Sequence, residues 1–298
     1  MTRGNSRTSF SIPPVSDMTQ TLAASPVASR QSQVATTAAS ILMCPPDHFG
    51  IEYEINAWMD VDNPCDTKKA RVQWATLKHT LEKLGARIEL INPERHPDLV
   101  FSANAGLVKG RTFIPSRFLH PERQGEEKYW QAWFANAGFE IAELPEEVFF
   151  EGAGDALFAG ETLFGGYGFR TERSAYDTIE KIIDSPIVRL ELRDERFYHF
   201  DTCFCPLDEN QAIYFPGAFT DESIAALKKH LVCHAVPEED AVKFACNAVV
   251  IDRNVVLQSG CAATEEMLAR IGFTPHTVDM SEFRKSGGSS KCLTIRLN

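Results

Sequence analysis

Residues 285–298 have the composition of a loop that presents a nucleophile. They read Lys-Ser-Gly-Gly-Ser-Ser-Lys-Cys-Leu-Thr-Ile-Arg-Leu-Asn, so a Ser/Gly run brings Cys292 to the start of a short apolar strand. Glycine adopts backbone angles closed to other residues, so the chain can turn tightly beside a ligand there. Lys285 and Lys291 add positive charge, which favours a thiolate over a thiol. The stretch predicts a reactive cysteine, with a buried structural cysteine as the alternative.

Two upstream segments carry acids and a base. In Phe-Phe-Glu-Gly-Ala-Gly-Asp, Glu151 and Asp155 flank small residues that let another group approach the backbone closely. In Tyr-His-Phe-Asp-Thr-Cys, His199 and Asp201 are two positions apart, and in a strand such residues share a face. Solvated loop acids and a core histidine held by an aspartate are the plain alternatives.

A third segment, Phe-Ser-Ala-Asn-Ala-Gly-Leu-Val, places Asn104 between apolar residues within a strand that we predict over residues 99–108. A strand-bulge or turn asparagine is the alternative. Taken together, Cys292 is a candidate nucleophile, His199 a base and Glu151 its orienting acid, with Asn104 and Asp201 forming a polar pocket. This set has the composition required for covalent catalysis by an activated cysteine. The order acid, histidine, cysteine is not that of papain-like proteases.

The charge balance restricts the partners that the protein can have. Its 298 residues carry a formal net charge of -11 and a pI near 5.3, which argues against nucleic acid or an anionic membrane as partner. We expect a small-molecule substrate, and the sequence leaves homo-oligomer formation open. The chain has no apolar run of transmembrane length.

The eight cysteines are scattered among apolar neighbours and form no C-x-x-C pair. That pattern predicts reduced thiols in a cytoplasmic protein rather than disulfides. The group Cys203, Cys205 and His199 is the single candidate metal cluster, and we expect neither a metal nor another cofactor.

Residues 1–40 are rich in Ser, Thr, Ala and Gln, and we predict a disordered tail there. A weak organelle-targeting peptide is the alternative, because the segment has arginines and a single acid. Residues 41–298 alternate short strands with helices, and we predict one domain of mixed α/β class. Turn-sized gaps pair the strands into hairpins, so a hairpin-plus-helix unit repeats about five times, which predicts a closed or propeller arrangement. The predicted helices cover residues 66–85, 126–138, 171–184, 221–230 and 263–271.

The strings FSANAGLV, EGAGD, HFD and SGGSSKC resemble, in order and spacing, the motifs of the guanidine-modifying enzyme superfamily. That superfamily contains arginine deiminases, dimethylarginine dimethylaminohydrolases and amidinotransferases. The resemblance implies a five-bladed α/β propeller (pentein) with Cys292 as nucleophile, His199 as proton shuttle and Glu151 as its partner. Arg170 and Arg123 resemble the family's carboxylate-binding arginines, a task that suits the planar guanidinium fork.

Asn104 departs from the deiminase pattern, because deiminases and dimethylargininases carry aspartate there and arginine dihydrolases carry asparagine. The strings MCPPDHF and NAWM also resemble the dihydrolases, which makes Asn56 a candidate substrate contact as well as a candidate turn residue. The resemblance therefore implies conversion of arginine to ornithine, ammonia and carbon dioxide. A deiminase or dimethylargininase that releases citrulline is one alternative. A non-catalytic propeller-fold binding protein is another.

Overall fold

A computed structural model describes residues 38–298 together with six isolated positions near the N-terminus, which are Met1, Thr2, Gly4, Thr8, Ser9 and Ser11. Most of the predicted tail, residues 1–40, lies outside the described residues. The folded unit includes Ala38 and extends to Asn298. Its first strand begins at Ser40, one residue before the predicted start of the domain.

The folded unit contains five separate sheets of three strands each. Its strands are β1 Ser40–Met43, β2 Arg87–Leu90, β3 Gly106–Lys109, β4 Thr112–Pro115, β5 Glu140–Ile141, β6 Ala156–Ala159, β7 Thr162–Tyr167, β8 Ile187–Glu191, β9 Phe204–Pro206, β10 Gln211–Tyr214, β11 Val232–Ala235, β12 Val249–Ile251, β13 Asn254–Gln258, β14 Thr274–Val278 and β15 Ile295–Arg296. Its helices are α1 Thr67–Lys83, α2 Pro121–Gln124, α3 Glu127–Asn136, α4 Ala175–Ile183, α5 Asp221–His230, α6 Glu238–Ala241, α7 Ala262–Arg270 and α8 Ser281–Arg284.

Four of the sheets repeat one pattern, and the fifth closes the ring. In each repeat an antiparallel hairpin is followed by a helical segment and a third strand parallel to the second, as in β6, β7, α4 and β8. In the remaining sheet the last strand, β15, pairs antiparallel with β1, while β2 lies parallel to β1 on the other side. This is the predicted five-bladed α/β propeller of hairpin-plus-helix units.

Helix α1 shows how the local sequence sets an element. The Asp66 side chain accepts hydrogen bonds from the Lys68 and Lys69 backbone N–H groups, which caps the helix start. Gly85 takes a φ of 93° just after the helix, a left-handed conformation that favours glycine. The buried face of α1 consists of Ala70, Gln73, Trp74, Leu77 and Leu81. All five predicted helices are confirmed, although α4 starts at Ala175 rather than at residue 171.

Two strand predictions near the site are wrong. Residues 99–108 were expected to form one strand, but Pro97–Val100 and Ser102–Ala105 are 3-10 turns and only Gly106 onward is strand. His199 and Asp201 were expected on one strand face, but Phe200–Thr202 is also a 3-10 turn. The backbone there bonds to the site instead of to a neighbouring strand.

The Ala103 N–H, for example, donates to the Cys292 carbonyl at 3.0 Å. In the same way the Phe200 N–H donates to the Asp155 carboxylate at 3.0 Å. Hydrogen bonds between blades, which satisfy buried backbone N–H and carboxylate groups, therefore determine both turns.

Candidate active site

The site is built from the same place in each of the five repeats, the segment just before the first strand of the blade. Asn104 precedes β3, Glu151 precedes β6, and His199 with Asp201 precedes β9. Asn247 precedes β12, and Cys292 precedes β15. The propeller therefore brings together side chains that are as far apart as 188 positions in the sequence.

His199 and Glu151 form a buried ion-pair-type contact, with Nε2 and Oε2 2.6 Å apart. Arg170 Nη1 donates to the same carboxylate oxygen at 3.2 Å, and the Leu119 N–H donates to the other oxygen at 3.3 Å. Burial raises the pKa of Glu151, but Arg170 and then His199 lower it by more, so it lies well below the usual carboxyl range. Glu151 is thus a fixed carboxylate that can orient the His199 ring.

Cys292 is buried between Asn247 and Asp201. The Asn247 Nδ2 donates to the Cys292 sulfur at 3.0 Å, and that sulfur lies 3.4 Å from Asp201 Oδ2. Burial and then the Asp201 charge raise the pKa of the Cys292 thiol well above its usual value. The lysine charge that was expected to favour a thiolate therefore does not outweigh burial at this thiol. Lys285 is held by Glu282 at 2.7 Å, and Lys291 offsets only part of the increase.

Asn247 is a site residue that the sequence analysis missed. Its Oδ1 accepts from the N–H groups of Ser289 at 3.0 Å and Cys292 at 3.1 Å, and its Nδ2 also reaches the Asp201 carbonyl at 3.1 Å. One amide thus fixes the Ser/Gly turn, the nucleophile and the neighbouring turn. The five-fold repeat was the available signal, because the predicted set had a residue before the first strand in every blade except this one.

Glycine at 287 is required by the geometry of the turn. Its φ is 82°, and a Cβ there would lie 2.9 Å from Asn56 Oδ1 and 2.8 Å from the Tyr198 hydroxyl. The glycine-turn prediction is therefore explained by a left-handed conformation and a close approach of the loop to its neighbours.

A small cavity opens beside the cysteine. It is lined by Asn56, Asp98, Asn104, Arg123, Arg170 and Cys292 among others. His199, Glu151 and Asp201 do not appear in that lining, and they contact it through Arg170 and Cys292. All eight candidate residues from the sequence analysis therefore lie in one connected cluster.

The two arginines of the cavity are already engaged by protein acceptors. Arg123 binds Glu126 with two hydrogen bonds of 2.9 Å, and its Nη1 donates to Asn104 Oδ1 at 2.9 Å. Arg170 donates to Glu151 and, through Nη2, to the Ile55 carbonyl at 2.6 Å. Arg123 Nη2 also donates to the Asp98 carbonyl at 3.1 Å. A guanidinium has five N–H donors, so Arg123 keeps one N–H and Arg170 keeps three that could bind a carboxylate in the cavity.

Asp98 is a second residue that the sequence analysis missed. Its Oδ2 accepts from the Tyr53 hydroxyl at 3.0 Å, whereas its buried Oδ1 has no hydrogen-bond partner among the described residues. Burial raises the pKa of Asp98 to about 6, so it is ionised at neutral pH. An unsatisfied buried acceptor is costly unless a ligand completes it, so Asp98 can accept from a cationic group in the cavity. No sequence pattern distinguishes it from an ordinary loop acid.

Asn56 lies in a turn and also lines the cavity, while its role as a substrate contact stays a prediction. Its Oδ1 accepts from the Trp58 and Met59 N–H groups at 2.9 and 3.3 Å, which closes a turn, and the residue also lines the cavity. Its Nδ2 donates to the Ser286 carbonyl at 3.1 Å, and Trp58 Nε1 donates to the Arg196 carbonyl at 2.6 Å. These bonds hold the Asn56 loop against the nucleophile loop.

The candidate metal cluster does not assemble. The Cys203 thiol lies against the Phe200 carbonyl and the Cys205 thiol against the Ala248 carbonyl. Over residues 38–298 no three His, Cys, Asp or Glu side chains come together as metal ligands. All eight cysteines are free. In the same part of the chain, every helix is too short or too polar to cross a membrane.

Curated proteins with related sequences include enzymes named for guanidino substrates. The chain is 45% identical over 264 residues to the bifunctional arginine dihydrolase/ornithine cyclodeaminase ArgZ of Synechocystis, covering 86% of this chain and 37% of that protein. It is 38% identical over 260 residues to the N(G),N(G)-dimethylarginine dimethylaminohydrolase of Mycobacterium tuberculosis, covering 86% of this chain and 85% of that protein. No protein-family model matches the chain.

Among solved structures, the N-terminal domain of ArgZ, described as an arginine dihydrolase, has been crystallised as a Cys-to-Ser mutant bound to substrate. It superimposes with a TM-score of 0.84 at 43% identity, and the match covers 87% of this chain and 98% of that domain. Fold and site together define a pentein-fold enzyme. The sequence relationship makes the assignment specific, and the chain belongs to the guanidine-modifying enzyme superfamily. It spans only 37% and 38% of the length of the two bifunctional relatives.

Proposed function

We propose that the protein is an arginine dihydrolase, which converts L-arginine and two waters to L-ornithine, two ammonia and carbon dioxide. The observation that carries the proposal is Asn104, a neutral amide in the wall of the cavity that holds Cys292. Similarity to ArgZ, whose N-terminal domain is described as an arginine dihydrolase, supports the same activity. The eight free thiols support a cytoplasmic location.

The cavity, together with Asp201 beside Cys292 just outside its lining, offers a complementary partner for each end of arginine. Asp201, ionised above pH about 6, would face the guanidinium beside Cys292. Asp98 would accept from the α-ammonium group through its free Oδ1. Arg123 and Arg170 would bind the α-carboxylate with their remaining N–H groups.

In the first hydrolysis, the substrate cation lowers the pKa of the cysteine beside it, because an opposite charge favours the thiolate. The Cys292 sulfur attacks the guanidinium carbon, and the C–N bond to one terminal nitrogen breaks. His199 donates a proton to that nitrogen, which leaves as ammonia. Neutral His199 then takes a proton from water, the water adds to the thiouronium carbon, and the C–S bond breaks to leave a ureido group.

In the second hydrolysis, Cys292 attacks the bound ureido carbon and the second ammonia leaves with a proton from His199. Water then cleaves the remaining carbon–sulfur bond, and the carbamate that results decomposes to ornithine and carbon dioxide. This step needs a pocket that tolerates a neutral urea. Asn104 can both donate to the urea oxygen and accept from a urea N–H, whereas an ionised aspartate only accepts.

The test is the product balance from arginine labelled at the guanidino carbon and in the side chain. We expect ornithine and labelled carbon dioxide in equal amounts, with two ammonia for each. Accumulation of citrulline would instead indicate a deiminase, or a dimethylargininase if methylated arginine is the better substrate. Absence of ammonia from either substrate would indicate the non-catalytic binding protein.

A further inference from the structure

A second and larger cavity lies on the propeller axis. It encloses about 570 Å³ and shares no lining residue with the cavity at Cys292. All five first strands of the blades, β3, β6, β9, β12 and β15, contribute to its wall. The wall is largely apolar, with Leu107, Leu157, Val250 and Ile295 among its side chains. Its volume is within the range of cavities that bind small molecules.

The charged side chains that line this axial channel all have one sign. Lys109, Lys291 and Arg296 line it, and no aspartate or glutamate does. Lys109 is neutralised by Glu161 at 2.6 Å, and Arg296 Nε donates to the Asn298 main-chain oxygen at 2.9 Å. The channel is therefore suited to an anion.

Lys291 is the channel lysine that forms no ion pair among the described residues, although the Asp201 carboxylate acts on it at longer range. Its ammonium donates to the Thr294 carbonyl at 3.3 Å, and over residues 38–298 no carboxylate lies within 4.0 Å of it. An ammonium has three N–H donors, so two remain for a ligand. Burial lowers the pKa of Lys291, which is the cost of an ammonium with little solvation. A bound anion would remove that cost.

We propose that the axial channel binds an organic monocarboxylate with an apolar body, with the carboxylate on Lys291 and the body against the strand walls. A single negative charge suits the one lysine of the channel that has no ion-pair partner among the described residues, and an apolar body suits the remaining wall, which is hydrophobic. Lys291 directly precedes Cys292, and its N–H donates to the carbonyl of Asn247 at 3.3 Å. Occupancy would thus also withdraw positive charge from Asp201 and Cys292 and slow turnover, a consequence that depends on the proposed function.

Isothermal calorimetry on the full chain with octanoate, octylammonium and acetate tests the binding itself. We expect octanoate to bind with one-to-one stoichiometry, acetate to bind at least tenfold more weakly for lack of apolar contact, and octylammonium not to bind. Equal binding of octanoate and octylammonium would overturn the proposal, because it would show that the charge of Lys291 plays no part. These results do not depend on whether the protein hydrolyses arginine.

Variants locate the site. Lys291→Met should weaken octanoate binding about ten- to a hundredfold, the usual effect of losing a charged hydrogen bond. Val250→Phe and Val108→Phe, which place bulk at two separate points of the channel wall, should each abolish binding and leave turnover of arginine near the wild-type rate. If octanoate still binds to both Val250→Phe and Val108→Phe, the proposal is wrong.

Kinetics distinguish the channel from the catalytic cavity. Inhibition of arginine turnover by octanoate should lower kcat with little change in KM, and Val250→Phe should abolish the inhibition. Inhibition that is competitive with arginine and survives Val250→Phe would place the carboxylate on Arg123 and Arg170 instead, and the proposal would fail.

Discussion

At the scale of single residues, the protonation of the Cys292 sulfur would couple substrate binding to its reactivity. The thiol points at the Asp201 carboxylate in a buried setting, and both surroundings favour the protonated sulfur. A guanidinium placed between them would offset the Asp201 charge and stabilise a thiolate. The cysteine is then nucleophilic when substrate is bound and less reactive towards other electrophiles when the cavity is empty.

Replacing Cys292 by serine should abolish turnover and leave the fold intact. Serine is similar in size and can still accept from Asn247, but its hydroxyl is far less acidic than a thiol and cannot form the covalent intermediate under the same conditions. Ammonia release and thermal unfolding measure the two effects separately. Cys65→Ser, at a half-buried cysteine outside the site, is the matched control and should retain activity. Substantial ammonia release by Cys292→Ser would exclude it as the nucleophile.

Replacing Asn104 by aspartate should move the product from ornithine towards citrulline, or slow the second hydrolysis selectively. The amide now accepts from Arg123 at 2.9 Å and donates to the Glu151 carbonyl at 3.3 Å. Aspartate keeps the first contact, loses the second, and binds guanidinium more strongly, since charged hydrogen bonds contribute roughly 1.5–3 kcal/mol against roughly 0.5–1.5 for neutral ones.

The ratio of ornithine to citrulline from labelled arginine, measured for both proteins at equal conversion, checks this prediction. Asn63→Asp adds the same charge at an exposed position and should leave the ratio unchanged. If Asn104→Asp still makes only ornithine at the wild-type rate, Asn104 does not determine the number of hydrolyses.

Asp201 gives activity and stability opposite dependences on pH. Burial raises its pKa from the usual 3.8 to about 6, so it can hold a cation only above that pH, and kcat/KM should rise as pH increases through 6. The folded state binds the proton more tightly than the unfolded state, so this group's contribution to stability is present below pH 4 and lost between pH 4 and 6. The loss is about 3 kcal/mol at pH 7 for a shift of this size.

The Asp201→Asn variant isolates that contribution. The variant lacks the titrating carboxyl, so it does not lose this stability as pH increases. The difference in free energy of unfolding, variant minus wild type, should therefore increase by up to about 3 kcal/mol between pH 4 and pH 7. Turnover of the variant should be lost. Urea unfolding at both pH values measures the change. A difference between the two proteins that is the same at pH 4 and pH 7 would show that Asp201 does not titrate in this range.

At the scale of elements, one buried chain of hydrogen bonds ties three site segments together. The Glu151 N–H donates to the Thr171 hydroxyl at 3.0 Å, that hydroxyl donates to Asp155 at 2.7 Å, and Asp155 accepts from the Phe200 N–H at 3.0 Å. The turn before β6, the segment after β7 and the turn before β9 are thereby held in register. This bridge fixes Glu151 relative to His199.

Thr171→Val should lower kcat while changing KM little, because it removes the bridging hydroxyl with almost no change in volume. It leaves the Glu151 N–H and one Asp155 oxygen unsatisfied, which typically costs about 1–3 kcal/mol in the free energy of unfolding. Thr76→Val, at an exposed position of α1, is the control and should affect neither quantity. An unchanged kcat in Thr171→Val, at the predicted loss of stability, would show that the bridge is structural only.

The sequence was sufficient for most elements and brought out the candidate reacting groups, whose roles stay predictions, but it was insufficient for the residues that hold them. Helices α1, α3, α4, α5 and α7 follow from periodicity and caps, which are local properties. The turns around Asn104 and His199 were predicted as strands, because their geometry depends on bonds to Cys292 and Asp155 in other blades. Asn247 and Asp98 act only through such contacts between blades, so short-range patterns do not reveal them.

At the scale of the whole molecule, the pairing of β15 with β1 determines whether the ring is closed. β15 has only two residues, yet it completes the first blade through Ile41↔Arg296 and Leu42↔Ile295 and follows Cys292 by three positions. The strand that closes the propeller therefore directly follows the loop with the proposed nucleophile. Stability of the closure and activity should change together.

Ile295→Ala tests that link. Ile295 is 1% exposed in the cluster that contains Leu42, Trp130 and Phe134, so truncation should cost about 2–5 kcal/mol in the free energy of unfolding through lost burial and a cavity. Activity should fall at temperatures well below the global unfolding midpoint, because loosening β15 releases Cys292 from Asn247 before the other blades open.

Urea unfolding and the temperature dependence of ammonia release give the two readouts. The control is Val232→Ala, which removes a comparable apolar group on β11 at a position that is 62% exposed. It should change the free energy of unfolding and the temperature dependence of activity only slightly. If Ile295→Ala lowers global stability as predicted but its activity persists up to the unfolding midpoint, closure and catalysis are not coupled. Loss of activity ahead of unfolding would show that the ring holds its nucleophile in place through the last strand.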